Sequence, residues 1–313
     1  MSRKPRMFVP GGYYLITGRT VQGCYIMRPT RRVTDLMGGV IAKAQVRLPE
    51  VKIYNLVFLS NHYHIILSGP PADISQFMEF IGSNIAREVG RAVGWRDKFW
   101  AHRFKAQKIL DEEAFDRLMA YMWAHGAKEG LVDEGKLWPG LQCIGELMTG
   151  VQRSFPWVDR TAQYFASLGR RKRLDDSAFT TFYPLRLSIL PHLAGLDEAR
   201  VRKVYRDIYQ EACQLAEDKR EGKASLGVEA VLAQDPHDSP KHFKRKPQPL
   251  CHSSCSRERT AYAESYRSFV EDFHKASARF RRGLPAVFPD HAFRPPLPFD
   301  WALSARASPH PQS

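Results

Sequence analysis

No apolar run in this sequence reaches the roughly 18 residues that a membrane-spanning helix needs. Behind Met1-Ser2-Arg3-Lys4-Pro5-Arg6 there is no apolar stretch of signal-peptide length, which predicts a cytoplasmic chain that is not exported. Cysteine is sparse. Cys24, Cys143, Cys213, Cys251 and Cys255 are odd in number and scattered, which argues against a disulfide framework and for a reducing compartment. Cys251-His252-Ser253-Ser254-Cys255 lacks a second ligand pair, and His237 and His242 fall at irregular spacing, so a structural zinc site is not expected. There is no G-x-x-x-x-G-K-[ST] loop for a nucleoside triphosphate and no internal repeat. Acidic residues are also short: 33 Asp and Glu face 47 Lys and Arg, a formal charge of +14. Residues 1–126 carry an excess of +8 and residues 127–313 an excess of +6, so both halves invite a polyanionic partner, of which nucleic acid is the commonest.

What is present supports a soluble chain of 313 residues, long enough for about two domains. Tyr13-Tyr14-Leu15-Ile16-Thr17 follows the Gly11-Gly12 turn signal and reads as a first strand. Thr34 to Arg47 is compatible with a helix closed by Pro49. Val51 to Leu59 and His62 to Ser68 read as two strands of a hairpin joined by Ser60-Asn61. Asp73 is placed to cap a helix with a stripe of Ile74, Phe77, Met78, Ile81, Ile85 and Val89. Arg103 to Leu110 reads as a fourth strand. Asp111 caps a further helix that runs to about His125, with Gly126 as its stop. The order β-α-β-β-α-β-α predicts an α+β fold, an antiparallel sheet with helices packed on it. Beyond Gly130 the pattern turns mainly helical, with strong stripes over Asp197 to Ala216 and Arg257 to Arg282. It carries the basic clusters Arg170-Arg171-Lys172-Arg173 and Lys241-His242-Phe243-Lys244-Arg245-Lys246. The expected division is residues 1–135, a basic helical region over 136–295, and a proline-rich disordered tail over 296–313.

Chemistry enters at Asn61-His62-Tyr63-His64. Alternation on a strand sends both imidazoles to one face and Tyr63 to the other. Two imidazoles side by side make half of a metal site. Tyr121 and His125, four apart on the following helix, share a face at the edge of its buried stripe. A phenol beside three imidazoles from two elements has a use: attack on a phosphodiester polarised by a divalent cation.

These residues resemble a known family, the single-tyrosine transposases of the HUH class, including the REP-associated tyrosine transposases. The resemblance rests on Asn61-His62-Tyr63-His64 and on the opening strand Phe8 to Thr17. It extends to Phe99-Trp100-Ala101-His102-Arg103-Phe104, and to Tyr121-Met122-Trp123-Ala124-His125 followed by Gly130-Leu131-Val132, and so covers roughly residues 5–140. It implies the ferredoxin-like α+β sheet of that nuclease superfamily, with Mg²⁺ or Mn²⁺ on His62, His64 and His125. It also implies Tyr121 as nucleophile on single-stranded DNA with hairpin-forming ends, through a 5′-phosphotyrosine. Where the family often has Asn or Gln four residues after the tyrosine, this chain has His125, and the family's Asn-Pro is replaced by His125-Gly126. Arg103 and Lys105, with Arg170, Arg171, Lys172, Arg173, Lys241, Lys244, Arg245 and Lys246, are the expected DNA contacts. Phe155, Trp157, Tyr164, Phe179 and Phe182 are interleaved with this second half as stacking surfaces. The implied enzyme is nucleoid-associated and works as a monomer or homodimer. A non-catalytic DNA-binding protein on the same fold, or a replication-initiator or relaxase nickase, are the alternatives.

Overall fold

The computed structural model describes residues 5–168, 174–240 and 249–295. The clusters Arg170, Arg171, Lys172, Arg173 and Lys241, Lys244, Arg245, Lys246, and the segment 296–313, lie outside the described residues. The chain forms two compact units, Pro10–Ser256 and Met1–Val9 with Arg257–Ser313.

In the larger unit the elements follow as β1 (Tyr13–Arg19), α1 (Arg31–Arg47), β2 (Lys52–Phe58), β3 (His62–Ser68), α2 (Pro71–Val93), β4 (Lys105–Ile109) and α3 (Glu112–Trp123). Then come α4 (Ile144–Thr149), β5 (Ser154–Val158), α5 (Arg160–Ser167), β6 (Thr180–Pro184), α6 (Glu198–Arg220), α7 (Val228–Leu232) and β7 (Cys251–His252). Five strands make one sheet in the order β2-β3-β1-β4-β7. The first four are antiparallel, as expected, and β7 adds a parallel edge beside β4. The α+β class read from the sequence is thus the class observed, and the region after the sheet is mainly helical.

The caps explain the boundaries. Asp111 accepts a hydrogen bond from the Ala114 N–H at 2.7 Å and starts α3 as expected. Asp73 is not the cap of α2. Pro70 occupies that position, Pro71 opens the helix with its φ already helical, and Asp73 lies in the first turn. Gly126 does not stop α3 through a left-handed turn either: Ala124 caps the helix, and the left-handed glycine is Gly130 (φ 69°).

Two additions to the sheet structure were not foreseen. β5 and β6 form a small antiparallel sheet, and β5 lies on α1. Gly38 and Gly39 make that approach possible: a Cβ on the first would collide with the Phe155 ring, and one on the second with the Pro156 carbonyl. Phe155 is therefore core, buried against α1, and not a stacking surface, whereas Tyr164 and Phe182 stand exposed. The second addition is β7, a two-residue strand that holds the buried Cys251.

Each sheet face has its own layer. On one, Tyr63 stacks on Phe58 with ring centroids 4.9 Å apart and meets Trp100 at 5.4 Å, while the Trp100 indole N–H donates to the Gly82 carbonyl of α2. On the other lies α3. A register shift between Ile53 and Asn55 turns Tyr54 and Asn55 towards it. Tyr54 packs edge-on to Phe115 at 5.5 Å, and the Trp123 indole N–H donates to the Asn55 side-chain Oδ1 at 3.3 Å. Residues 141–142 cover the free edge of β2, where the Phe58 N–H donates to the Leu141 carbonyl.

In the smaller unit α8 (Ser256–Arg281) carries a ladder of rings, Tyr262, Tyr266, Phe269 and Phe273, each 6.1–6.4 Å from the next. The Tyr266 hydroxyl donates to the Pro5 carbonyl. Among the described residues no helix is long and apolar enough to cross a membrane.

Candidate active site

The hairpin connection sets the first imidazole. Ser60-Asn61 closes a two-residue loop in which the Leu59 N–H donates to the His62 carbonyl. Thr20 clamps it, its N–H and hydroxyl both donating to the Asn61 carbonyl, at 2.9 and 3.0 Å. The Asn61 amide nitrogen is committed to the Gly23 carbonyl at 3.0 Å, so its oxygen faces His62 Nδ1 at 2.7 Å. That oxygen only accepts, so His62 carries its proton on Nδ1 and presents the Nε2 lone pair.

His62 and His64 share the face that α3 covers. Their cross-strand neighbours on β1 are Arg19 and Thr17, and Thr17 in turn neighbours Lys105 on β4. From the end of α3, His125 enters fully buried, with its Nε2 2.7 Å from His62 Nε2. Its ring lies 4.7 Å from that of His64, and the His62 and His64 rings are 5.4 Å apart. One ligand atom from each of the three lies within 4.8 Å of the others, a grouping able to hold a metal ion.

The electrostatics favour neutral rings. Burial first, then Arg19 and Lys128, push His62 down to about 3. Burial holds His64 and His125 well below the ordinary histidine value, assisted by the neighbouring imidazoles and Lys128; the Tyr121 backbone opposes it at His125. His64 Nδ1 and His125 Nδ1 are buried without a hydrogen-bond partner. Three neutral imidazoles, two of them with an orphaned nitrogen, fit a divalent cation, since the metal ligand is the neutral ring. An all-nitrogen donor set suits Mn²⁺ better than Mg²⁺, which prefers oxygen.

Tyr121 occupies the rim. Its ring lies 5.2 Å from that of His125 and 6.0 Å from that of His64, and 41% of the residue is exposed. A large substrate can therefore reach the phenol while the imidazoles stay covered. Burial, and then Glu129, raise its pKa above the ordinary phenol value. Lys128 Nζ sits 3.0 Å from the Tyr121 ring centroid. Lys105 and Arg103 are exposed on the approach to β4.

Sequence reasoning placed Tyr121, His62, His64 and His125, and the fold brings all four together. It missed Asn61, Arg19 and Lys128. The signal for Lys128 was available: it lies three residues after His125 and seven after Tyr121, the spacing of one helical face. His252 on β7 was also missed. It is a buried imidazole lowered to about 4 by burial and then by Arg117, and it adds to the field on His64.

A stability prediction follows from these rings. Each binds a proton near pH 6.5 when unfolded but resists it when folded. Between about 6.5 and the folded values the unfolded chain binds more protons, so stability is full above 6.5 and is lost as pH falls. Each such ring adds a slope of about 1.4 kcal/mol per pH unit. Denaturant titrations in EDTA should give a lower midpoint at pH 5 than at pH 7.5, with a flatter dependence for His62→Ala. A pH-independent midpoint would contradict the buried neutral cluster.

Together these features define a class of site: a solvent-reachable phenol beside a cluster of three imidazoles able to hold a metal ion, on an antiparallel sheet. No family model matches the chain, and no curated protein matches it. Two solved structures are similar to it. One is a REP-associated tyrosine transposase bound to a REP hairpin, at 21% identity and a TM-score of 0.37, covering 46% of this chain and 82% of that one. The other is a candidate transposase from Deinococcus radiodurans R1, at 16% identity and a TM-score of 0.27, covering 38% and 95%.

Proposed function

We propose that this chain is a single-tyrosine transposase that cleaves and rejoins single-stranded DNA at hairpin-forming ends. The observation that carries the reading is the Tyr121 phenol standing at the open rim of the His62, His64 and His125 cluster. A site built only to bind DNA has no need of three clustered imidazoles, two of them with buried orphaned nitrogens, which cost stability (about 1–3 kcal/mol for each unsatisfied group).

In the proposed step Tyr121 Oη bonds to phosphorus and the P–O3′ bond breaks. The phenol proton passes to solvent, and the departing 3′-oxygen takes one from solvent. The products are a 5′-phosphotyrosine and a free 3′-hydroxyl. There is no oxidation or reduction, and the phosphotyrosine conserves the bond energy, so a second 3′-hydroxyl reverses the step and joins strands. His62, His64 and His125 would hold Mn²⁺ or Mg²⁺, which supplies charge neutralisation at the scissile phosphate. Asn61 keeps His62 in the tautomer that offers Nε2. In this reading residues 1–135 carry the chemistry, and the basic region over 136–295 tracks the DNA backbone.

The test uses the full chain, Mn²⁺ and single-stranded oligonucleotides from the DNA flanking its gene. A 3′-end label should migrate with the protein on a denaturing gel and a 5′-end label should be released. A 5′ label retained on the protein, or no adduct on any flanking end, would overturn the proposal. The basic region makes its own prediction. Changing Lys244, Arg245 and Lys246 together to Ala should weaken DNA binding. It should also reduce the slope of log K against log salt by about 2, at roughly 0.7 per phosphate contact on single strands. An unchanged slope would assign that cluster to solvent.

A further inference from the structure

Lys128 has no role in the reading so far. Its side chain is 9% exposed. The carboxylate of Glu129 lies 4.0 Å from Nζ, at the limit of an ion pair, and is itself half exposed. The chain beyond α3 brings the residue into the site. The Lys128 N–H donates to the Ala124 carbonyl and the Gly130 N–H to the Ala127 carbonyl, so the turns after Trp123 keep the helical sense. Tyr121, His125 and Lys128 thereby share one side. The ammonium rests 3.0 Å from the Tyr121 ring centroid, over the negative face of the π-system. It also lies close enough to act on all three imidazoles.

We propose that Lys128 is the positioning residue for Tyr121. Its ammonium fixes the phenol ring face-on and directs Oη towards the phosphate brought to the histidine cluster. The inference rests on the transposase reading above. Because Lys128 acts through Tyr121, its loss should slow the covalent step and spare DNA binding.

The experiment is single-turnover adduct formation by the full chain with Mn²⁺ and a cognate single strand, alongside DNA affinity in EDTA. Lys128→Met should lower the rate at saturating DNA by about tenfold or more, while the half-saturating DNA concentration and the affinity in EDTA move less than about threefold. Lys128→Arg, which keeps the cation, should recover the rate to within about threefold of wild type. A wild-type rate in Lys128→Met would overturn the proposal, and so would failure of Lys128→Arg to recover the rate. If Lys128→Met loses cooperative unfolding, Lys128→Arg decides alone: recovery supports the proposal and a slow rate overturns it. Adduct in wild type with an unaffected Lys128→Met removes only the role of Lys128, whereas absence of adduct in wild type removes the transposase reading itself.

Discussion

Tyr121→Phe should give no denaturation-resistant complex with DNA, under conditions where the wild-type chain forms one. The substitution removes a single oxygen and keeps the ring that meets His64, His125 and Lys128. Because the residue stands at the rim and is partly exposed, the fold should tolerate the change to within about 0.5 kcal/mol. Affinity for DNA should also persist, since phosphate contacts by basic side chains dominate it. Loss of adduct with retained binding and melting would isolate the nucleophile. Adduct at the wild-type level would move the nucleophile elsewhere, and Tyr121 would become a packing residue.

His64→Ala should reduce adduct formation by more than about 100-fold, because one of three ring ligands is lost. Of the three, His64 gives the cleanest test. His62 is tied to Asn61, and His125 lies at the end of α3 within its buried layer. His64 Nδ1 is buried with no partner, so deleting the ring removes an unsatisfied polar group even as it opens a small cavity. The variant should therefore fold. Mn²⁺ affinity, read by electron paramagnetic resonance of the free ion, should fall together with the adduct. Full cleavage by His64→Ala would detach the histidine cluster from the chemistry. Weakened metal binding with normal cleavage would do the same.

The sheet and the site residues were legible because their signals are local. The strand His62–Ser68 has the expected limits, since aromatic and β-branched residues run from His62 to Ile66 and Gly69 follows Ser68. Helical spacing put Tyr121 and His125 on one face without any knowledge of the sheet. The unforeseen features are non-local. A two-residue strand such as β7 has no periodicity of its own and exists through pairing with β4, about 140 residues earlier. Phe155 looked like a stacking ring because the Gly38-Gly39 notch that receives it lies more than 100 residues upstream. The Asn61 carboxamide was visible as a neighbour of His62. Its orientation depends on the Gly23 carbonyl, which only the folded loop supplies. Lys128 fell beyond the expected end of the helix at Gly126, so its shared face with Tyr121 went unread.

The most direct measurement is mass spectrometry of the protease-digested covalent complex formed with Mn²⁺ and a cognate single strand. The account predicts a nucleotide adduct on the peptide containing Tyr121, as a phosphotyrosine linked to the 5′ end of the downstream fragment. An adduct on any other residue, or the opposite polarity of attachment, would contradict it.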